Sequence, residues 1–166
     1  MAKITWKLRQ GATWRQKLER PHPNHGKLVI VPPRMQPRFG KGRMLIPRPL
    51  DVDAALRRVR KGKLMTQSQL RAVLAAAAGA DVACPLTTGI FIRIAAEAAE
   101  EDRRTGKKRI TPYWRAVKDD GSLNDKFPGG AEAQAAKLRE EGFVIRNGKG
   151  RRPPTVPDFA KHLVKL

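Results

Sequence analysis

The sequence predicts an α+β fold: a small winged helix-turn-helix domain with a three-helix core, a β-hairpin wing and a further C-terminal helix. Residues 50–104 contain three consecutive segments with helical spacing of apolar side chains, and each segment has helix start or stop signals. Residues 110–123 combine β-compatible side chains with a turn sequence. Residues 131–141 return to strong helix formers. Three helices followed by a hairpin is the order of a winged helix-turn-helix, in which the third helix is the one that reads DNA.

The first two helices are marked by their ends. Asp51 is placed to cap the first helix, and Gly62 to stop it. Thr66 and Gln69 have the spacing of a capping box, which opens the second helix, and Gly79 closes that helix. Apolar positions with helical spacing are Val52, Ala55, Leu56 and Val59 in the first helix, and Leu70, Val73, Leu74 and Ala77 in the second.

The third helix and the segment after it complete the predicted domain. A helix that begins near residues 85–88 and runs to about residue 104 would present an apolar stripe to the core. The sequence Lys118-Asp119-Asp120-Gly121 is typical of a turn and predicts a hairpin over Ile110 to Leu123. Residues 131–141 predict the further helix, and residues 143–145 a last short strand.

Positive charge is concentrated near the N-terminus. The 166 residues include 35 Lys and Arg against 15 Asp and Glu, which gives a net charge of +20. Residues 1–50 hold twelve of the cations, one acid and seven of the thirteen prolines, which disfavour a long helix. We therefore expect a basic, proline-rich arm at 1–49, the winged-helix domain at 50–146 and a basic tail at 147–166. Such an excess of charge favours nucleic acid as the partner.

Composition excludes several classes of protein. The single cysteine, Cys84, rules out a disulfide framework and a Cys-rich zinc site, and it fits a reducing cytosol. No apolar run approaches the ~20 residues of a membrane span, and the N-terminus lacks the apolar region of a secretory signal. His22 and His25 have no neighbouring Cys or carboxylate cluster, so no metal is expected there. These observations predict a cytoplasmic monomer without cofactor or membrane partner, located at the nucleoid if the source is bacterial.

Aromatic side chains alternate with cations in the arm, as in proteins that stack bases while they follow phosphates. The predicted arm contacts with nucleic acid are Trp6, Lys7, Arg9, Trp14, Arg15, Lys41 and Arg43. A flexible tail that only improves solubility is the alternative, although such a tail has little use for two tryptophans. A membrane-surface helix ranks last, because Gly11 and the prolines from position 21 limit any helix there.

Four groups of short motifs follow one another between residues 62 and 142. They are Gly62-Lys63-Leu64-Met65-Thr66, then Thr111-Pro112-Tyr113-Trp114-Arg115-Ala116-Val117, then Gly121-Ser122-Leu123 with Pro128-Gly129-Gly130, then Leu138-Arg139-Glu140-Glu141-Gly142. In order and spacing they resemble the C-terminal module of the O6-alkylguanine-DNA alkyltransferases, the methylated-DNA-cysteine methyltransferase family, over roughly residues 50–146. The resemblance implies a winged-helix DNA-binding domain in which a cysteine thiolate accepts an alkyl group from a flipped guanine.

The chain departs from that family at the reactive position. By the resemblance, Tyr113 stands where the acceptor Cys would be and Trp114 where a His would be, while Arg115 and Glu141 match. No thiolate can form at a tyrosine, so the family's alkyl transfer is excluded and we expect no enzyme activity. The alkyltransferase-like subclass also lacks the acceptor cysteine, and it binds alkylated DNA without repairing it. The implied degenerate pocket consists of Pro112, Tyr113, Trp114, Arg115 and Glu141.

The predicted DNA-binding surface combines helix starts with a cationic cluster. Hydroxyl and backbone N–H groups at the starts of the second and third helices suit phosphate oxygens; these residues are Thr66, Gln67, Ser68, Thr87, Thr88 and Gly89. Positive charge comes from Arg57, Arg58, Lys61, Lys63, Arg93 and Arg115. By the resemblance, Gln67 occupies the position of the family's base-flipping Tyr, and Leu86 about that of its intercalating Arg.

The sequence thus predicts a non-catalytic DNA-binding protein that senses alkylated guanine in DNA repair and works with other repair proteins. Two alternatives stay open: an RNA- or ribosome-associated basic protein, and a methyltransferase with its acceptor displaced to Cys84. Because the arm carries most of the charge, we expect that its deletion weakens binding to all DNA. Any selectivity should then survive in residues 50–146.

Overall fold

The chain folds into short helices and strands in mixed order, which confirms the α+β class. The computed structural model describes residues 4–166. The helices are α1 (Trp14–Glu19), α2 (Gln36–Phe39), α3 (Pro49–Arg57), α4 (Gln67–Ala78), α5 (Pro85–Arg104) and α6 (Gly130–Glu140). The strands are β1 (Leu28–Ile30), β2 (Arg43–Leu45), β3 (Met65–Thr66), β4 (Val82–Ala83) and β5 (Ala116–Val117). Single turns of 3-10 helix lie at Pro33–Met35, Tyr113–Arg115 and Phe159–His162.

Helices α3, α4 and α5 form the centre of the molecule, as the apolar spacing predicts. The capping box of α4 is confirmed, since the Thr66 hydroxyl accepts from the Gln69 N–H at 3.1 Å, and the helix ends at Gly79 with φ 65°. The predicted cap of α3 is wrong, because that helix begins at Pro49 rather than after Asp51. A proline fits the first helical turn, where its missing N–H would have no partner. Asp51 pairs instead with Arg48, at 3.2 Å.

The predicted hairpin wing over residues 110–123 does not form. Strand β5 pairs in parallel with β3, with Met65 opposite Ala116, and both residues are buried. An antiparallel hairpin commonly leaves one face in water, whereas both residues of β3 and both residues of β5 are buried. The turn at 118–121 is present, but Leu123 then bonds to the Pro154 carbonyl at 2.9 Å rather than back to β5.

The C-terminal segment therefore belongs to the fold. Val156 is fully buried, and the Leu64 N–H donates to the His162 carbonyl at 2.9 Å. The strand expected at residues 143–145 is absent from the described structure, and only an isolated bridge joins Arg146 to Thr155. The predicted basic tail, residues 147–166, thus supplies the extended segment with which residues 121–123 form backbone hydrogen bonds.

The N-terminal segment is folded against the same helices. Strands β1, β2 and β4 form one sheet, in which β1 and β2 are antiparallel and β2 and β4 parallel. Leu18 and Leu45 are buried in the main core. The Glu101 carboxylate at the end of α5 accepts the backbone N–H groups of Trp14 and Arg15, at 2.9 and 3.1 Å. The predicted division at residue 50 therefore separates residues that share one core and one sheet.

A chain that starts at Arg48 should fail to fold cooperatively. Its loss of Leu18, Val31 and Leu45 would expose the core, and each buried aliphatic side chain contributes about 2–5 kcal/mol against a total stability of about 5–15 kcal/mol. Urea unfolding followed by circular dichroism measures this, with removal of the exposed Lys165 and Leu166 as the control truncation. A cooperative transition of the Arg48 chain at the full-length midpoint would contradict it.

Candidate nucleic-acid interface

Glu141 gathers the side chains of the motif that follows Pro112. Its carboxylate accepts the Trp114 indole N–H at 2.9 Å, and the Arg115 Nη2 and Nε groups at 2.6 and 3.0 Å. Arg115 also donates from Nη1 to the Val59 carbonyl at 2.6 Å, which ties the motif to the end of α3. Burial raises the pKa of the Glu141 carboxyl, but hydrogen bonds from Arg115 and Trp114 outweigh it and hold the pKa below its ordinary value. The structure thus brings together three of the residues predicted for the degenerate pocket.

Tyr113 fills the interior at the position where the resemblance implies a cysteine. Its side chain is 1% exposed, and its ring packs edge-on against Trp114 and Phe127 with centroids 5.4 and 5.2 Å away. Its hydroxyl donates to Glu100 Oε1 at 2.7 Å. Burial and the Glu100 carboxylate raise the pKa of the Tyr113 phenol well above its ordinary value, so the phenol stays protonated. Arg103 and Lys137 complete the surroundings of Glu100, at 2.7 and 3.3 Å.

A cationic cleft opens beside Trp114. It has a volume of about 360 Å³, and its lining residues are Arg57, Lys108, Arg109, Ile110, Pro112, Trp114 and Arg115. Arg57 and Arg115 are paired with Asp53 and Glu141, at 2.8 and 2.6 Å. Lys108 and Arg109 are exposed and form no ion pair within residues 4–166. A cleft lined by one sign of charge focuses the field, so this one suits a phosphate group.

Sequence reasoning did not include Lys108 and Arg109 among the predicted contacts, because cations just after a helix also complement its dipole and therefore do not by themselves indicate a binding surface. It also missed Glu100 as the partner of Tyr113. A signal was present for Glu100, which follows the buried Ala96 by four residues and therefore lies on the same helix face.

The predicted helix-start contacts are only partly accessible. Thr66, Thr87 and Thr88 are buried, so their hydroxyls are not available to a phosphate in this structure. Thr66 is occupied in capping α4, and the Thr87 hydroxyl lies 3.5 Å from the Cys84 carbonyl. The other predicted residues reach the surface: Gln67 and Arg93 are half-buried, and Ser68, Gly89, Arg58, Lys61 and Lys63 are exposed. Ser68 is bonded to Asp119, with its N–H at 2.9 Å from a carboxylate oxygen.

The predicted arm contacts separate into three groups. Trp14 packs on the main core, and Arg15 pairs with the buried Asp102, so both are used inside the chain. Trp6 stacks on the guanidinium of Arg93, whose carbon lies 3.5 Å from the ring centroid. The remaining members are exposed cations, namely Lys7, Arg9, Lys41 and Arg43.

Cys84 lies at the start of α5 as a small buried side chain. It is 7% exposed and packs with Val31 and Met44. Within residues 4–166, no group of three or more His, Cys, Asp or Glu side chains could hold a metal ion. None of the helices there is long and apolar enough to cross a membrane.

Comparison with known proteins gives one structural likeness. No family model matches the chain, and no curated protein matches it. The chain is similar to Atl1 of S. pombe, whose crystal structure is a complex with damaged DNA containing O6-carboxymethylguanine. The two chains are 16% identical, 71% of this chain and 94% of the Atl1 chain are covered, and the TM-score is 0.49. Values of this size establish neither a shared fold nor a shared function.

Proposed function

We propose that this chain is a non-catalytic DNA-binding protein that resembles the alkyltransferase-like proteins and senses alkylated guanine in duplex DNA. The observation that carries the proposal is the cationic cleft beside Trp114, at the motif that resembles the alkyltransferase active-site loop. Lys108 and Arg109, which form no ion pair with any residue of 4–166, are available to meet phosphate groups. The half-buried indole lies beside them, where it can contact a base or a sugar.

The proposal includes the absence of alkyl transfer. Tyr113 is buried and its hydroxyl is held by Glu100, so it offers no nucleophile. Cys84 is buried among Val31 and Met44, and none of the chain's three histidines is near it in the sequence to act as a base. A thiol needs a nearby base or positive charge to become a reactive thiolate. We therefore expect the Cys84 thiol to be unreactive.

Several parts of the proposal concern the wider setting of the protein. We expect a monomer that acts in the cytoplasm or nucleus and presents the lesion to other repair proteins. The exposed arm cations and the exposed cluster of Arg58, Lys61 and Lys63 would add contacts to the phosphate backbone. These contacts would position the protein without reading sequence.

The experiment is a comparison of two labelled duplexes that differ only in one O6-methylguanine, measured by fluorescence anisotropy over a series of salt concentrations. If about 6 phosphates are neutralised, log K should fall against log salt with a slope of about −5 for both duplexes. Tighter binding to the alkylated duplex supports lesion sensing. Equal affinities for the two duplexes would support DNA binding but contradict lesion sensing. Affinity that does not change with salt would overturn both.

Two further readouts separate the alternatives. Single-stranded RNA that competes better than the duplex would favour an RNA-binding protein. Mass spectrometry of the protein after incubation with the alkylated duplex should show no added methyl group. A methyl adduct on Cys84 would make the chain an enzyme and contradict the proposal.

A further inference from the structure

A second cavity lies where the N-terminal segment covers α5, away from the residues that line the cationic cleft. Its volume is about 600 Å³, within the range of about 300–1,000 Å³ that small-molecule sites occupy. Phe91 and Ile94 of α5, with Ile4, Leu8 and Pro49, give it an apolar wall. Neither the sequence resemblance nor the proposed DNA-binding cleft accounts for it.

Two histidines form a flat aromatic part of this wall. The rings of His22 and His25 stack with centroids 4.8 Å apart and planes at 28°, and His25 meets the edge of Phe91 at 5.0 Å. Burial, with the charges of His22 and Lys17, lowers the pKa of His25 to about 4, so its ring is neutral near pH 7. The two stacked rings offer a surface on which a planar heterocycle can lie.

One of these rings also holds an unused hydrogen-bonding group. Nδ1 of His22 accepts the Asn24 backbone N–H at 3.0 Å, so in the neutral ring the proton is on Nε2. Nε2 is buried and has no hydrogen-bond partner within residues 4–166. An unpaired buried donor is costly, so a ligand acceptor that reached Nε2 would remove this cost.

Four cations line the same cavity: Lys7, Arg9, Lys17 and Arg20. Among the described lining residues none is acidic, and none of the four cations forms an ion pair within residues 4–166. Burial and the charges of Arg9 and Arg20 lower the pKa of Lys17, which means that these like charges lie close together. Like charges gathered without a counter-charge are what an anion site requires.

We propose that this cavity binds a nucleotide, with its phosphate at Arg9, Lys17 and Arg20 and its base against the stacked His22 and His25. A bare phosphate or an aliphatic anion would leave the stacked aromatic wall uncovered. A heterocyclic base that carries a phosphate uses all three features. The nucleotide is either a free mononucleotide or the 5′-phosphorylated end of a strand. In both cases the site shares no lining residue with the cleft beside Trp114, although it takes Arg9 from the exposed arm cations.

The test is calorimetric titration of the full chain with adenosine 5′-monophosphate, adenosine and inorganic phosphate as separate probes. The monophosphate should bind at least about tenfold more tightly than either of its parts. The double variant Arg9→Ala/Arg20→Ala should weaken its binding by about tenfold or more, because both residues are exposed and their loss leaves the core intact. His22→Phe keeps an aromatic ring but removes Nε2, together with the Nδ1 that accepts the Asn24 N–H, and it should weaken the binding of the monophosphate and of adenosine by similar factors.

Two control variants remove the same charge elsewhere. Lys27→Ala/Arg34→Ala lies in the N-terminal segment outside the cavity, and Lys108→Ala/Arg109→Ala lies in the cleft beside Trp114. Neither should change the affinity for the monophosphate. Loss of binding in the cleft variant would place the nucleotide there and overturn the proposal, as would an absence of heat up to about 5 mM monophosphate.

Short single strands distinguish the two sources of the ligand. A tetranucleotide with a 5′-phosphate that displaces the monophosphate, while its unphosphorylated form does not, would identify a strand end. If neither displaces it, the ligand is a free nucleotide. Because these probes contain no duplex and no lesion, failure here is distinguishable from failure of the proposed DNA binding.

Discussion

The double variant Lys108→Ala/Arg109→Ala should bind duplex DNA about tenfold more weakly than the natural chain at moderate salt. It should also reduce the magnitude of the slope of log K against log salt by about 2, since each lost phosphate contact removes about 0.9. The reason is local: among the four cations of the cleft, only these two are free of an ion pair within the described structure. Anisotropy titrations at four or five salt concentrations measure both quantities.

The matched control is Lys27→Ala/Arg34→Ala, which removes the same two charges from exposed positions outside the cleft. A contact in the cleft predicts a clearly smaller effect for the control. Equal losses in the two variants would mean that DNA responds only to the total charge of +20, and that the cleft has no special part in binding.

The helices of this fold can be predicted from the sequence because their signals are local. The capping box of Thr66 and Gln69, the stop at Gly79 and the long apolar stripe of α5 each lie within a few residues or turns. Tertiary packing stabilises these helices without changing their secondary structure. The positions of α4 and α5 therefore follow from spacing and end signals, whereas α3 spans Pro49–Arg57 instead of the predicted stretch from Asp51 to Gly62.

The strands and the N-terminal segment could not be predicted in the same way. Strands of two or three residues are too short to show a period, and the partner of β5 is β3, some 50 positions earlier. The carboxylate that holds the start of α1 is Glu101, 86 or 87 residues away. Prolines and cations in residues 1–50 indicated an extended arm, whereas side chains such as Leu18 and Val31 decided that it is packed.

The candidate site shows the same limit. Resemblance to a family grouped Tyr113, Trp114, Arg115 and Glu141, and the structure brings the last three into contact. Burial of Thr87 and Thr88 depends on how α5 packs, which their hydroxyls do not reveal. The role of Tyr113 depends on Glu100, and no feature of the motif itself points to that partner.

The variant Tyr113→Ala should lower the free energy of unfolding by about 4 kcal/mol, which is a large share of a domain's stability. The change removes a side chain that is 1% exposed and packs on Trp114 and Phe127, and large aromatic-to-alanine changes in cores cost about 3–5 kcal/mol. Tyr113→Phe keeps the ring and should cost less, about 1.5–3 kcal/mol, the contribution of a hydrogen bond to a charged acceptor. Urea unfolding at pH 7 measures both.

The hydroxyl contribution should also depend on pH. Burial raises the pKa of Glu100, but the hydrogen bonds from Tyr113 and Arg103 and the charge of Lys137 outweigh it and hold the pKa below its ordinary value. A carboxyl whose pKa is lower in the folded state stabilises the fold above the ordinary value of about 4.5, and that stabilisation is lost as the pH falls through the folded-state pKa. The difference in stability between the natural chain and Tyr113→Phe should therefore shrink below about pH 4.

Arg103→Gln serves as the comparison, because it removes a more exposed partner of the same carboxylate. It should destabilise the protein less than Tyr113→Phe does, since an exposed ion pair contributes little. A difference between the natural chain and Tyr113→Phe that stays constant from pH 7 to 3 would contradict the dependence on the charge of Glu100, because the hydroxyl would then contribute equally in both protonation states. A Tyr113→Phe variant as stable as the natural chain at pH 7 would show that Tyr113 acts through its ring alone. The buried phenol would then be a filler of the interior, with no electrostatic link to α5.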